Sequence, residues 1–504
     1  SDSDHLVYRC VVNSSSSSSS SWAGTQQLGT SNDDRSRGVT VDSSDNIYVS
    51  GITTGGLDGN TNSGNDCSSP PCLDIFLVKY NSSGTKQWTQ QLGTSNDDRS
   101  RGVTVDSLDN IYVTGYTEGG VDGNTNSGND CTSPPCSDIF LLKYNSSGTK
   151  QWTKQLGTSS NDYVTGVTVD SSDNIYLSGY TYGGLDGNTN SGNSDIILVK
   201  YNSSGTKQWI QQLGTSNEDN SYGVTVDSFD NIYVTGHTKG GLDGNTNSGG
   251  DQSVEDLFLV KYNTNGVKQW TQQLGSTSND SGQGVTVDSS DNLYVTGSTA
   301  GGLDGNTNSG IKDIFLVKYN SSGTKLWTQQ LGTSNDERSR GVTVDSLDNI
   351  YVTGYTEGGV DGNTNSGNDC TSPPCSDIFL LKYNSSGTKQ WTKQLGTSSN
   401  DYVTGVTVDS SDNIYLSGYT YGGLDGNTNS GNSDIILVKY NSSGTKQWIQ
   451  QLGTSSNDYT RGVTVDSSDS LYVTGNTYGG LDGNTNSGNS DIILVKYNSS
   501  GEKQ

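Results

Sequence analysis

Eight tryptophans set the frame of this chain. Trp22, Trp88, Trp152, Trp209, Trp270, Trp327, Trp391 and Trp448 are separated by 66, 64, 57, 61, 57, 64 and 57 residues. A period of this size marks a repeat architecture, in which each unit buries its apolar face only against its neighbours. The basic unit is 57 residues. The 64-residue units add Asp-Cys-Thr-Ser-Pro-Pro-Cys, and the 61-residue unit adds four residues around Asp251 to Glu255. The 66-residue unit adds a similar seven plus two residues beside Trp22. Nearly all length variation therefore falls at one place in the unit. A longer period overlies this one: residues 92–216 match 331–455 with a single change, Asp98 against Glu337, so four units are duplicated to eight.

Composition alone would point to disorder, with 28% hydrophobic residues and a net charge of −26. The repeat overrules that reading. The sign of the charge argues against a nucleic-acid binder, which needs basic stripes to neutralise phosphate. No apolar run approaches the roughly 20 residues needed to span a bilayer. No secretory signal is present and the first residue is not Met, so the chain is expected to be processed or trimmed.

Each unit reads as four short strands. In the second, Gly102–Asp106 alternates as strand a, Asn110–Gly115 is strand b, Asp138–Tyr144 is a continuous apolar run expected to be buried on both faces as strand c, and Lys150–Leu156 is strand d. The a–b and c–d links carry tight-turn chemistry. Four-stranded units at this period predict an all-β, eight-bladed propeller of antiparallel blades over residues 22–504. The last unit, Gly462 to Tyr497, lacks a strand d, and the first segment, Trp22 to Leu28, is a strand d without a, b and c. These fragments are expected to close the ring, the N-terminal d strand completing the last blade. An open solenoid is the architectural alternative.

The units resemble the bacterial β-propeller repeat called SBBP, in "GVTVDSSDNIYVSG", "DIFLVKYNSSGTKQW" and "QQLG". The resemblance covers essentially residues 22–504 and recurs eight times. It implies secreted or surface proteins, and it offers no catalytic residues to carry over.

Six cysteines form three local pairs, Cys67 with Cys72, Cys131 with Cys136 and Cys370 with Cys375, each bracketing a Ser-Pro-Pro turn. They are expected to be disulfides in an oxidising, extracellular or cell-surface compartment. Residues 1–21 hold the odd Cys10, one strand-like segment and eight consecutive serines. They read as a flexible extension, or as a strand donated to a neighbouring subunit.

Strands alternate in direction, so b–c and d–a loops share one face of the ring. All insertions and all cysteine pairs decorate that face, as do the residues that differ most between copies. Tyr116, Glu118, Tyr182, His237, Glu357, Tyr421 and Tyr478 are its candidate binding residues. Every b–c loop also spells Asp-Gly-Asn-Thr-Asn-Ser-Gly, with oxygen side chains at alternate positions that could wrap calcium. The candidate ligands are Asp58, Asn60 and Asn62; Asp122, Asn124 and Asn126; Asp186, Asn188 and Asn190; Asp243, Asn245 and Asn247; Asp304, Asn306 and Asn308; Asp361, Asn363 and Asn365; Asp425, Asn427 and Asn429; and Asp482, Asn484 and Asn486. The alternative is a plain Asx turn. The tryptophans are expected to pack over the blade edge, with sugar stacking the alternative. Seven Tyr-Asn-Ser-Ser-Gly turns spell a glycosylation sequon that a hairpin also explains.

An enzyme is not expected. There are only two histidines, His5 and His237, and no nucleophile elbow. Glu118 and Glu357 near Arg99, Arg101, Arg338 and Arg340 read as solvated loop ion pairs. The leading function is protein or glycan binding through the loop face. The alternative is a structural subunit of a sheath, surface layer or filament, assembling with its own copies.

Overall fold

The computed structural model describes residues 22, 24–64, 72–130, 135–250, 254–369 and 374–504. They form eight four-stranded antiparallel sheets, each in the spatial order a-b-c-d. In blade 2 the strands are Asp98–Val105, Ile111–Thr117, Asp138–Tyr144 and Lys150–Leu156. Strands a of successive blades pack on one another around the ring, so a is innermost and d outermost. Among the described residues no helix is long and apolar enough to cross a membrane.

Strand c carries the core. All seven of its residues are buried in blades 1 to 7, as its unbroken apolar run requires. The core lies between blades: Tyr48, Ile75 and Leu77 of blade 1 pack on Val103, Ile111, Phe140 and Leu142 of blade 2. No blade can bury this surface alone, which is why the repeat has to be read as a ring.

Strand a begins earlier than its sequence pattern shows. The residues expected to be d–a loop, Asp98 to Arg101 in blade 2, are its first half. Asp98 and Ser100 point into the protein while Arg99 and Arg101 are partly exposed. A bulge between Ser100 and Gly102 breaks the period-two alternation, so only the second half looks like a strand in the sequence.

The circle is closed. Gln26–Leu28 pairs antiparallel with the strand c of blade 8, Gln26 opposite Leu494 and Leu28 opposite Ile492. The regular strand is shorter than Trp22 to Leu28. The two chain ends rebuild the missing outer strand jointly. In blade 1 the Asp58 carboxylate is held by Lys86 and Thr89 of one strand d; in blade 8 Asp482 is held by Lys503 from one end and Thr25 from the other.

Two sets of contacts run round the whole circle. On the face bearing the a–b turns, Ser43 donates from its backbone N and its hydroxyl to Asp109 of the next blade, and the pattern repeats until Ser467 of blade 8 reaches Asp45 of blade 1. Each accepting aspartate sits at a left-handed φ near 60° (Asp45 φ 60), a conformation Asp tolerates better than most side chains. At the outer edge each Trp covers the c–d turn glycine of the next blade. A Cβ on Gly148, which has φ +83°, would lie 2.8 Å from the Trp88 ring. Trp22 does the same to Gly84 across the closure. Trp88 also packs 5.9 Å from Tyr48 and donates its indole N–H to Ser146 O at 3.3 Å. The packing reading of the tryptophans therefore accounts for their spacing.

Candidate functional site

Where the eight copies differ, the differences gather at one mouth of the ring. They occupy the second and fourth residues of strand a, the sixth of strand b, and the residue just after strand b. Seven of the eight arginines lie in strands a: Arg35, Arg37, Arg99, Arg101, Arg338, Arg340 and Arg461. Of 28 tyrosines, sixteen repeat eightfold inside strands b and c, Tyr8 precedes the described residues, and the other eleven lie at this rim.

These side chains form two clusters. On blades 2 and 3, Tyr116 meets Tyr163 edge-on at 4.9 Å, Tyr163 lies 5.3 Å from Tyr180, and Tyr180 lies 6.0 Å from Tyr182. The Arg101 guanidinium sits over Tyr116 at 5.2 Å and donates to its hydroxyl at 3.2 Å. On blades 6 and 7 the same set recurs as Tyr355, Tyr402, Tyr419, Tyr421 and Arg340, at 5.2, 5.4, 6.0 and 5.3 Å. This second cluster extends to Tyr459 and Tyr478 of blade 8. Blade 5 carries only Ser281, Gln283, Ser298 and Ala300 at the equivalent places.

All seven residues named from sequence fall on this rim. Tyr116, Tyr182, Tyr421 and Tyr478 belong to the clusters. Glu118 and Glu357 flank them; Arg99 bonds Asp97 at 2.9 Å and Arg338 bonds Asp336 at 2.7 Å, and the same two arginines act on the Glu118 and Glu357 carboxyls against the effect of burial. His237, expected in a loop, is the sixth residue of the strand Ile232–Thr238 and only 3% exposed, with Tyr222 at 5.3 Å and Glu218 at 3.8 Å. Tyr163, Tyr180, Tyr222, Tyr355, Tyr402, Tyr419 and Tyr459 were not singled out. Their signal was present, as aromatic substitutions at fixed positions in the repeat, but all of those positions read as loop.

The Asp-Gly-Asn loops fold as a short 3₁₀ turn whose Asp, such as Asp58 at φ 52°, is left-handed. Each Asp is paired with the lysine at the start of strand d or its equivalent, Lys150 with Asp122 at 2.5 Å and Lys207 with Asp186 at 2.7 Å among them. The hydrogen bond from Lys389 holds the Asp361 carboxyl below its ordinary range. Asn60 donates to Leu57 O at 2.7 Å, and Asn62 donates to Cys72 O at 3.1 Å. The three side chains thus serve different partners within the blade, and among the described residues no group of three or more His, Cys, Asp or Glu is arranged to hold a metal. Cys72, Cys136 and Cys375 follow these loops; Cys67, Cys131 and Cys370 lie outside the described residues, as do residues 1–21.

Beneath the rim lie eight pairs of buried carboxyls. Each joins the first residue of a strand c to the first residue of the next blade's strand a: Asp74 with Asp98, Asp138 with Asp162, and onward to Asp491 with Asp34. All sixteen are fully buried, and none forms an ion pair with a cation among the described residues. Asp98 accepts from Thr94 N at 2.6 Å and Thr94 Oγ1 at 3.0 Å, and its other oxygen contacts the Thr117 hydroxyl. That hydroxyl also lies 3.1 Å from Gly119 O. One hydroxyl proton cannot serve both acceptors, whereas a protonated Asp98 donating to Thr117 satisfies all three groups. Burial pushes the Asp98, Asp162 and Asp401 carboxyls up to about 7, with a smaller contribution from the paired aspartate. The partner explains the invariant glycine of "QQLG": a Cβ on Gly93 would fall 2.0 Å from Asp74 Oδ1.

The SBBP β-propeller repeat model matches residues 24–58, 87–121, 151–186, 208–243, 269–304, 326–360, 390–425 and 447–482, one match per blade. The chain is also similar to an uncharacterized WD repeat-containing protein of Acanthamoeba polyphaga mimivirus, at 27% identity over 80% of this chain and 37% of that protein. It is 25% identical to the regulatory protein FlaEY of Caulobacter vibrioides, over 75% of this chain and 44% of the relative. The chain thus spans less than half the length of either relative. Among solved structures, the WD40 β-propeller domain of Doa1 aligns with 80% of this chain and 95% of its own, at TM-score 0.39 and 11% identity. A PL25 ulvan lyase aligns with 85% and 95%, at TM-score 0.40 and 13% identity. The chain belongs to the SBBP β-propeller repeat family.

Proposed function

We propose that this SBBP propeller is a non-catalytic interaction module that holds a protein partner against its tyrosine- and arginine-bearing rim. One observation carries the reading. On a scaffold copied eight times, the described arginines and the described tyrosines outside the two eightfold sets collect at one mouth. Tyr and Arg dominate the binding energy of protein interfaces, and variable residues on a rigid ring are where recognition resides. The WD-repeat description of a relative supports a protein as the partner. We further propose an extracellular or cell-surface setting in which the three cysteine pairs are closed as disulfides, supported by their matched local spacing.

Selection of a displayed random peptide library on the intact ring tests this. Peptides enriched on the wild-type ring are expected to be lost on a ring carrying Y163A and Y402A together. Equal enrichment on both rings would overturn the reading, and binding confined to a glycan array would replace protein with carbohydrate.

A further inference from the structure

We propose that His237 makes the blade 4 sector of the rim acid-responsive: on taking up a proton, its buried imidazole draws in the Glu218 carboxylate, and the surface beside Tyr182 changes its charge. The consequence for binding rests on the rim being the binding face; the proton uptake does not.

Blade 4 is the one blade with a histidine at the sixth residue of strand b; the others carry Ile, Tyr, Ser or Asn there. Its strand b, Ile232–Thr238, sets His237 opposite Asn220 of strand a and Leu257 of strand c. The ring is 3% exposed, and neither Nδ1 nor Nε2 has a hydrogen-bond partner. A neutral imidazole carries one donor and one acceptor, and burying both unmatched is unfavourable. Relief stands close by. Glu218 Oε1 lies 3.8 Å from Nε2, just beyond hydrogen-bond reach. Proton uptake makes Nε2 a charged donor, and closing the gap by about 1 Å gives a charge-assisted bond to the carboxylate.

Before that step Glu218 is held from the other side. Its Oε1 accepts from Asn220 Nδ2 at 2.9 Å and its Oε2 from Lys239 Nζ at 2.6 Å, while Lys239 lies 3.9 Å from Glu255. With His237 neutral, Glu218, Lys239 and Glu255 leave one negative charge in excess; with His237 charged, the four balance. Tyr182, 41% exposed, senses this group: burial and then Glu218 push its hydroxyl up, and Lys239 pulls it down. The change therefore reaches the accessible ring of the first tyrosine cluster. The second cluster lacks the device, because Asn457, Asn476 and Tyr478 of blade 8 stand where Glu218, His237 and Lys239 stand in blade 4. The surrounding groups do not mimic it. Burial raises the hydroxyls of Tyr180 and Tyr222, so both stay neutral. His237 and then Lys239 hold the Glu218 carboxyl down to about 2, so it stays ionised. Among the strand-start carboxyls beneath, burial raises Asp219 and Asp256, and pushes Asp280 up to about 6. These remain in H237N, so comparison with that variant isolates the imidazole.

The chain has only two histidines, so NMR of the intact ring labelled at histidine Cε1 gives two imidazole signals, and the one missing from H237N belongs to His237. Asparagine already stands at this place in blade 8, opposite Tyr459, so the variant suits the fold. Urea midpoints show that each variant is folded. Between pH 8 and pH 5 the His237 signal is expected to shift, and in E218Q its midpoint should fall by about one pH unit, a tenfold loss of proton affinity. The most enriched peptide from the displayed library is then titrated calorimetrically into a ring carrying Y402A, in which the first cluster alone is intact. Its affinity at pH 5 and at pH 8 should differ roughly fivefold more than in the same ring carrying H237N. A His237 signal constant across this range, or a midpoint unmoved in E218Q, would overturn proton uptake toward Glu218. An equal affinity ratio with and without H237N would overturn control of the rim while leaving the rim as the binding face. Failure to enrich any peptide would remove the binding consequence together with the reading beneath it, and the imidazole signal would still decide the proton uptake.

Discussion

Raising the pH should weaken this ring well before any of its lysines titrate. Asp98, Asp162 and Asp401 hold a proton to about pH 7 in the fold, against 3.8 for a free side chain, and Asp34 and Asp280 to about 6, all through burial in the seams between blades. Between those values the folded chain binds more protons than the unfolded one, so stability falls as pH rises. The stabilisation is complete below pH 3.8 and is gone once the folded value is passed. From pH 5 to pH 8 each group near 7 costs about 3 kcal/mol and each near 6 about 1 kcal/mol, a total on the order of 10 kcal/mol. Urea unfolding followed by tryptophan fluorescence reads this directly. Relief of surface repulsion in an acidic protein would act in the same direction, but salt screens it, so the pH slope should survive high ionic strength. D98N mimics the protonated form, its amide donating to Thr117. The variant should be more stable than the parent by roughly 4 kcal/mol at pH 8 and by only about 1 kcal/mol near pH 4.5. A midpoint that is flat or rises from pH 5 to pH 8, or a D98N ring destabilised at pH 8, would refute the account of the buried pairs.

Three further outcomes follow from the geometry. G148A should lose roughly 2–4 kcal/mol, because the new methyl meets the Trp88 ring at 2.8 Å and the backbone is left-handed; W88A should cost about 2–3 kcal/mol by uncovering the same turn, both read as shifts in urea midpoint. Calcium and EDTA should each move the melting temperature by less than about 1 °C, since lysines already neutralise the loop aspartates; a rise of several degrees with calcium would mean that Asp58, Asn60 and Asn62 regroup around an ion. Removing the segment up to Leu28 should expose the edge of the strand c of blade 8 and produce concentration-dependent oligomers by sedimentation, whereas an unchanged monomer profile would show that the closure contributes little.

The architecture was legible because the tryptophan period, the turn chemistry and the complementary chain ends each report local facts that a ring must satisfy together. The buried half of strand a was not, since Asp98 and Ser100 are polar and the bulge at Ser100 hides their alternation. A carboxylate at a strand start looks the same in sequence whether it meets water or a neighbouring blade, so the pairs such as Asp74 and Asp98 left no mark. His237 was misplaced for the same reason: its neighbours suggest a loop, while its register opposite Asn220 puts it indoors. The Asp-Gly-Asn alternation is visible in sequence, but the pairing of the left-handed Asp58 with Lys86 of strand d is a contact between distant residues that the loop does not spell. The rim was found in outline, because variation between copies of one unit is visible without any structure.

The serine–aspartate chain and the tryptophan-covered glycines join blade to blade by the same handshake at every seam, including the one between last and first. Nothing in such a joint counts. The size of the circle is therefore an outcome of how many units the gene supplies, and inserting or deleting one whole unit asks only for a small change in angle at each seam. A lineage built this way can widen or narrow its bore by unequal recombination, without inventing a new interface.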